Sequence, residues 1–537
     1  MENLSWRPIL AVDHKSVGKR FLCLALLCIV LGMVLSLAMR IHLSRQDAGL
    51  LPSAAVPAEQ YQAMMLVHGS LMVFFVLVAA PQCGFGYFLL PLQIGAREMA
   101  FPFLSGLSFW MTVSSLCGIM ASFLAIPAAG TGMGMTLWLF SVACFCLAMI
   151  LASLNICVTV INSRAKGMTL PRLPVTVWAW LVTAILSLLI FSILLAASTL
   201  LISDRFAGTR FFSFRIASAA AHSVLWQRWF WFFAQAEVYV AMLPCFGVVT
   251  HVLAVYSRRK LWGERVAVLG LCALGLAGFC IWGEHMFASG LNPYTPLVFS
   301  MLASSLGIPA LLLILCWFRT LWGATLRLDT AMLFALGFIA LFLSGGISGI
   351  FMARHTSAGV GANDALVAGH FHLVMGVAAT FSILAALFFW FPKIFGRRLN
   401  ETLGKIHFWV TLAGVYILFM PMHWLGLLER ENVLTGAGSL GHILSMTILV
   451  ATTITLAAQI LFFYNFFWSV WRGERSGTKN PWRATTLEWF VDSPPPHENF
   501  GGGAPVVFRG AYEFGVRLAG EDFVPQHLAP ERIAKLR

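Results

Sequence analysis

Charge is what this chain of 537 residues has least of. Asp, Glu, Lys and Arg make up 11% of it, against roughly 25% in soluble domains, which excludes a water-soluble globular protein. No CxxC pair occurs among the 11 cysteines, and no CxxCH. Thiol-redox motifs and c-type haem attachment within the chain are therefore excluded. Cys144 and Cys146, the nearest two, fall on different sides of a helix, and inert, buried thiols are expected. Nucleic-acid modules, internal repeats and a soluble domain are missing too. So are the alternating ten-residue segments of a membrane barrel.

What the chain has is apolar length. Hydrophobic residues reach 59%, and runs of roughly 20, enough to cross a bilayer as a helix, recur throughout. About twelve are predicted, centred near residues 31, 77, 115, 148, 188, 241, 277, 307, 341, 380, 416 and 455. An all-α membrane protein follows, with an N-terminal segment at 1–20, a membrane domain at 21–471 and a tail at 472–537. The tail stretch "DSPPPHENFGGGAP" is too rich in Pro and Gly for a helix and is expected to lie extended on the inner surface. The polar start, with Arg7, Lys15, Lys19 and Arg20, leads straight into the first run without a cleavable signal.

Basic residues set the orientation. With the N-terminus inside, "NSRAKGMTLPR", "YSRRKLWGER" and "FPKIFGRRLNETLGK" all fall inside, and these loops carry about twice as many Lys and Arg as the outer ones. Both termini are then cytoplasmic, in a bacterial-type inner membrane. The formal charge of +13 reads as topology and contact with anionic lipid, not as nucleic-acid binding.

Ionisable groups inside spans are costly, and so mark function. In "VAGHFHLVMG", His370 and His372 are two apart, about 200° on a helix. They cannot share one metal but can serve two cofactors on opposite sides, a demand that axial haem ligation satisfies. A low-spin haem needs a second ligand from another helix, for which His68 in "LVHGSLMVFF" is the candidate. The plainer reading, histidines bridging helices by hydrogen bonds, stays open on these residues alone. "WFFAQAEVYV" sets Gln235, Glu237 and Tyr239 in the sixth span, and "IWGEHMFASG" sets Glu284 and His285 in the seventh. Gln235 and Tyr239 share a face from which Glu237 is displaced. Gln, Glu and His together suit either a metal or a polar network between helices.

Longer stretches carry a resemblance. "DHKSVG", "PLQIGAREMAFP", "KIHFWVTLAGVYILFMPMHWLGL" and "NPWRATTLEWFVDSPPP" resemble signatures of subunit I of the A-type haem–copper oxidases, the cytochrome c oxidase family, almost end to end. The resemblance implies twelve helices enclosing two haems. It makes His68 and His372 the ligands of the low-spin haem, and His370 the proximal ligand of the high-spin haem. Glu237 matches the proton-delivering glutamate, and Glu98 stands where an entrance aspartate of its path would be. Tyr239 matches the tyrosine that oxidases join to a copper-ligating histidine. A subunit II-like electron-input partner with a copper or haem relay is implied, with a subunit III as a further partner and cytochrome c or quinol as donor.

The departures are informative. Where oxidases have "GHPEVY" and "HH" around copper, this chain has "AQAEVY" and "EH". Gln235 and Glu284 replace two ligands, His285 remains, and no histidine is left to join Tyr239. Leu313 stands at the place of the membrane lysine of a second proton path. The Arg pair that contacts haem propionates is not recognisable in "GLLERENVLTG", apart from Arg430, and an outer His-Asp pair reads "GAND". One His, one Glu and an amide favour non-haem iron over copper. The resemblance then implies the catalytic subunit of a respiratory reductase, with NO reduction to N2O favoured. The alternatives are an O2-reducing oxidase with unusual ligands, or a haem electron-transfer paralogue without the second metal.

Overall fold

A computed structural model describes residues 11–47, 56–125, 132–212, 224–283, 294–355, 365–430, 438–501, 503–518 and 521–531. Among them, eleven helices are long and apolar enough to cross a membrane. They are His14–Ser44, Ala58–Ile94, Pro102–Ala125, Met133–Asn162, Val175–Phe206, Arg228–Ser257, Met301–Leu321, Thr330–Gly349, Ala365–Phe395, Glu401–Leu427 and Leu440–Arg472. A further helix, Glu264–Cys280, fills the seventh position. The order and places of all twelve match the apolar runs, and ordinal numbers are used for them below.

Burial ranks the spans. Of the most apolar window in the sixth span 89% is buried, and 78% in the tenth, but only 17% in the eighth. The two most buried spans carry Glu237 with Tyr239 and His370 with His372, while the eighth spends its apolar surface on the outside. Glycines let spans approach closely: a Cβ would lie 2.1 Å from Ser141 Oγ at Gly118, between the third and fourth spans, and 2.1 Å from Thr455 Oγ1 at Gly414, between the eleventh and twelfth. The cysteines divide more evenly than the expected burial: Cys23, Cys117 and Cys280 are exposed on the apolar surface, where they cost nothing.

Two spans depart from a uniform α-helix. Leu71–Phe85 in the second and His372–Val377 in the tenth are π-helical. Pro81 sits within the first of these and has no N–H to give the helix ladder. Its own carbonyl accepts from the backbone N–H of Gly86 and, at 2.9 Å, from the indole N–H of Trp180 in the fifth span. Both π segments lie beside a candidate histidine.

The tail is more embedded than a surface strap. It packs across the end of the bundle where the first span starts and the twelfth stops, and ends in a hairpin of β1 (Phe514–Leu518) and β2 (Glu521–Phe523). Lys15 Nζ donates to the carbonyls of Pro496 and His497 at 2.7 and 2.9 Å. Arg258 Nε donates to Asp522 at 2.8 Å. Glu488 is fully buried and accepts from Gln93 at 3.0 Å, and burial pushes its carboxyl pKa up. Val175 N–H donates to the Tyr512 hydroxyl, which lies 3.1 Å from His251 Nδ1. That leaves the His251 Nε2 edge facing Glu488 at 3.6 Å.

Candidate functional site

Three histidines are held in one chemical form. His68 Nδ1 lies 2.9 Å from the carbonyl of Gly32 in the first span. His372 Nδ1 lies 2.7 Å from the carbonyl of Ala368, one turn back on its own helix. His370 Nδ1 lies 3.1 Å from the carbonyl of Gly345 in the ninth span, and 3.0 Å from Ser348 Oγ. A carbonyl only accepts, so each Nδ1 carries the proton and each Nε2 keeps its lone pair. That is the tautomer a metal takes, with the second-shell bond that ligating histidines make.

The rings serve different sides. His372 stacks on Phe419 of the eleventh span, with centroids 5.0 Å apart and planes 16° apart, and His68 is within its electrostatic reach. His370 turns instead to the ninth span. The α-helical step assumed from the sequence fails at His372, where the π segment begins, yet the two rings still reach different neighbours. These donors fit the axial ligation of two haems, one between the second and tenth spans and one on the other side of the tenth.

The sixth span also divides its polar groups. Glu237 is buried, with no hydrogen-bond partner for Oε1 among the described residues, and lies within electrostatic reach of Cys146 on the fourth span. Tyr239 crosses Gly278 of the seventh, where a Cβ would come 2.3 Å from the ring. Gln235 is half-buried and engaged with neighbours. Glu284 and His285 lie outside the described residues, as does the "GAND" stretch, and the Arg430 side chain is likewise not described. Among the described residues no group of three or more His, Cys, Asp or Glu side chains is gathered for a metal.

Glu98 sits in the loop before the third span. Its Oε1 accepts from the backbone N–H groups of His14 and Met99 at 2.8 and 3.0 Å, while burial raises its carboxyl pKa. A buried polar file starts nearby. Asn155 Nδ2 donates to Ser105 Oγ at 2.8 Å, Ser108 meets Tyr87 at 3.1 Å, and Thr112 bonds the Ser108 carbonyl at 2.8 Å. Antiparallel packing of the third and fourth spans, set by Ser105 with Asn155 and Ser115 with Ser141, brings Thr112 level with Cys146. At the other candidate path Leu313 is buried, and the Trp317 indole donates to Thr250 at 2.8 Å, so this route presents an apolar side chain and an indole.

Two residues escaped the sequence reading. Arg40 on the first span lies within electrostatic reach of both His68 and His372 and donates to Met422 Sδ at 3.0 Å. Its signal was a cation inside an apolar run. His423 repeats the His372 pattern, Nδ1 to the carbonyl of Phe419 at 2.7 Å, but its Nε2 is sealed in packed protein.

Comparison with known proteins agrees over nearly the whole chain. Residues 16–432 match the family model for cytochrome C and quinol oxidase polypeptide I. The alternative cytochrome c oxidase subunit 1 of Bradyrhizobium diazoefficiens is 37% identical over 561 residues, covering 98% of this chain and 94% of that protein. Cytochrome c oxidase subunit 1 of Synechocystis sp. is 35% identical over 518 residues, covering 94% and 92%. A cryo-EM structure of a heme-copper terminal oxidase dimer superposes with a TM-score of 0.67 at 16% identity, covering 86% of this chain and 84% of that one. The last likeness speaks for the fold alone.

Proposed function

The chain belongs to the cytochrome c and quinol oxidase polypeptide I family, and from that premise we propose that it is the catalytic subunit of a membrane reductase that converts NO to N2O. Membership makes it an oxidoreductase subunit of the haem–copper superfamily, whose members imply two haems and a further metal. The finer reading rests on one observation: two of the three positions that hold copper in the family carry Gln235 and Glu284, and only His285 is kept. Decay of an unused site leaves small apolar residues more readily than a carboxylate, which is costly in a membrane unless paired or ligating. A set of one imidazole, one carboxylate and one amide suits iron better than copper.

His68 and His372 would hold the low-spin haem, His370 the high-spin haem, and Glu284, His285 and Gln235 the iron beside it. When bound, these groups supply the electrons and the site where NO is held. The chain's own residues do the remainder. Glu237 delivers protons to the site, fed from the Glu98 end through the Ser105, Ser108 and Thr112 file. Coupling two NO to N2O and water takes two electrons and two protons, so one proton path suffices and loss of the lysine at Leu313 is tolerable. Gln235, the weakest ligand of the three, orients a bound water or Glu284. Both termini face the cytoplasm by the basic-loop count. A subunit II-like partner with a copper or haem relay takes electrons from cytochrome c or quinol.

O2 reduction is the second reading, favoured by the names of the relatives, which are cytochrome c oxidases. Turnover separates the two. The purified complex is expected to consume NO faster than O2. Glu284→Ala is expected to abolish NO consumption, and Gln235→Ala to leave part of it. Faster O2 turnover, with NO consumption unchanged in Glu284→Ala, would overturn the proposal.

A further inference from the structure

The ninth span presents Gly345, Ser348 and Gly349 to the His370 ring, positions i, i+3 and i+4 on one helical face. A Cβ at Gly349 would lie 3.0 Å from His370 Cε1, so the ring rests directly on the helix at that point. Ser348 Oγ donates to the carbonyl of Gly345 at 2.7 Å. Its proton is thereby committed, and its lone pairs face His370 Nδ1 at 3.0 Å. The Nδ1–H is shared between Ser348 Oγ and Gly345 O, which lies 3.1 Å away.

A serine bonding its own helix backbone is ordinary in a membrane span. Ser344, one turn earlier, bonds the Ala340 carbonyl in the same way. What sets Ser348 apart is its second contact, to a ligand candidate. An imidazole whose N–H is held more firmly is a stronger donor to the metal on its other nitrogen, and a hydroxyl already donating to a carbonyl is a better acceptor.

We propose that Ser348 is a positioning residue for the high-spin site: its hydroxyl fixes the His370 ring and strengthens His370 as an axial donor. This rests on the reading of His370 as the proximal ligand. Ser348→Ala would leave the Nδ1–H with one acceptor, the more distant of the two. The donor weakens, so the iron–histidine stretch falls and the midpoint potential of the high-spin haem rises.

The test is resonance Raman spectroscopy of the reduced complex, with redox titration of both haems. Ser348→Ala is expected to lower the iron–histidine stretching frequency and raise the high-spin potential, while the bis-histidine spectrum from His68 and His372 stays as it is. Ser348→Thr, which keeps the hydroxyl, is expected to restore both values. Ser348→Cys, close in size and weaker as an acceptor, is expected to fall between and covers failure of the alanine variant to assemble. A band unmoved or raised in Ser348→Ala and Ser348→Cys would overturn the role of Ser348 alone. An iron–histidine band that survives His370→Gly would remove the ligand reading, and Ser348's role with it.

Discussion

The two sides of the tenth span hold their histidines by different means. His372 is fixed by the Ala368 carbonyl of its own helix, a bond that no side-chain replacement at 368 removes. His370 is fixed from the neighbouring ninth span, by one carbonyl and one hydroxyl. The His372 ring is thus set by local backbone, and the His370 ring by how two helices pack. Glycines draw the same contrast. A Cβ at Gly376 would stand 3.6 Å from His372, an ordinary contact, whereas at Gly349 it would stand 3.0 Å from His370. In the proposed function, Gln235 and Glu284 serve the side of His370.

The largest expected effect removes one side altogether. His68→Ala or His372→Ala should abolish the low-spin optical signal and leave part of the high-spin haem. His370→Ala should do the reverse, and an intact bis-histidine spectrum in His68→Ala would undo the pairing. Next comes Glu237→Gln, for which normal haem content and turnover slowed about 10²–10⁴-fold are expected, the usual contribution of a proton-transfer group. An unchanged rate would show that protons arrive by another route. Smaller again is the glycine pair. Gly349→Ala should disturb the high-spin spectrum and slow turnover by up to about 10²-fold, as a misplacement near 1 Å can. Gly376→Ala should leave the low-spin spectrum as it was, and equal effects of the two would erase the contrast between the seats.

The smallest effect lies at the tail. The hydrogen bond from Arg258 holds the Asp522 carboxyl below the usual carboxylate range. Its stabilisation is therefore complete above the ordinary carboxylate value of about 3.9 and is lost as pH falls through the lower folded value. Asp522 is partly exposed, so Asp522→Asn should loosen the tail by only about 0.2–1 kcal/mol, read as faster amide exchange in β1 and β2. The difference from the natural chain should stay level from neutral pH to about 4 and close below that. A difference that grows on acidification would refute the assignment.

Much of the fold was legible because hydrocarbon admits few side chains. Twelve apolar runs appeared at their places, and His68, His370 and His372 stood out for their cost inside a span. Their seats were not legible. The bonds from His68 to Gly32 and from His370 to Ser348 cross between helices, and no spacing rule ties positions 36 and 22 residues apart. The π turns at Leu71–Phe85 and His372–Val377 were missed because a constant helical step was assumed. The tail was expected to lie on the surface, but Glu488 reaches a fully buried site whose partners, Gln93 and His251, come from the second and sixth spans. His423 and Arg40 carry the same signal, an ionisable group in an apolar run, but without the paired-histidine spacing of His370 and His372.

The central claim concerns the metal beside the high-spin haem, and metal content per haem of the purified complex tests it most directly. The account predicts one non-haem iron for every two haems and no stoichiometric copper, with the iron lost in Glu284→Ala. Stoichiometric copper without non-haem iron would contradict it and return the chain to O2 chemistry with unusual ligands.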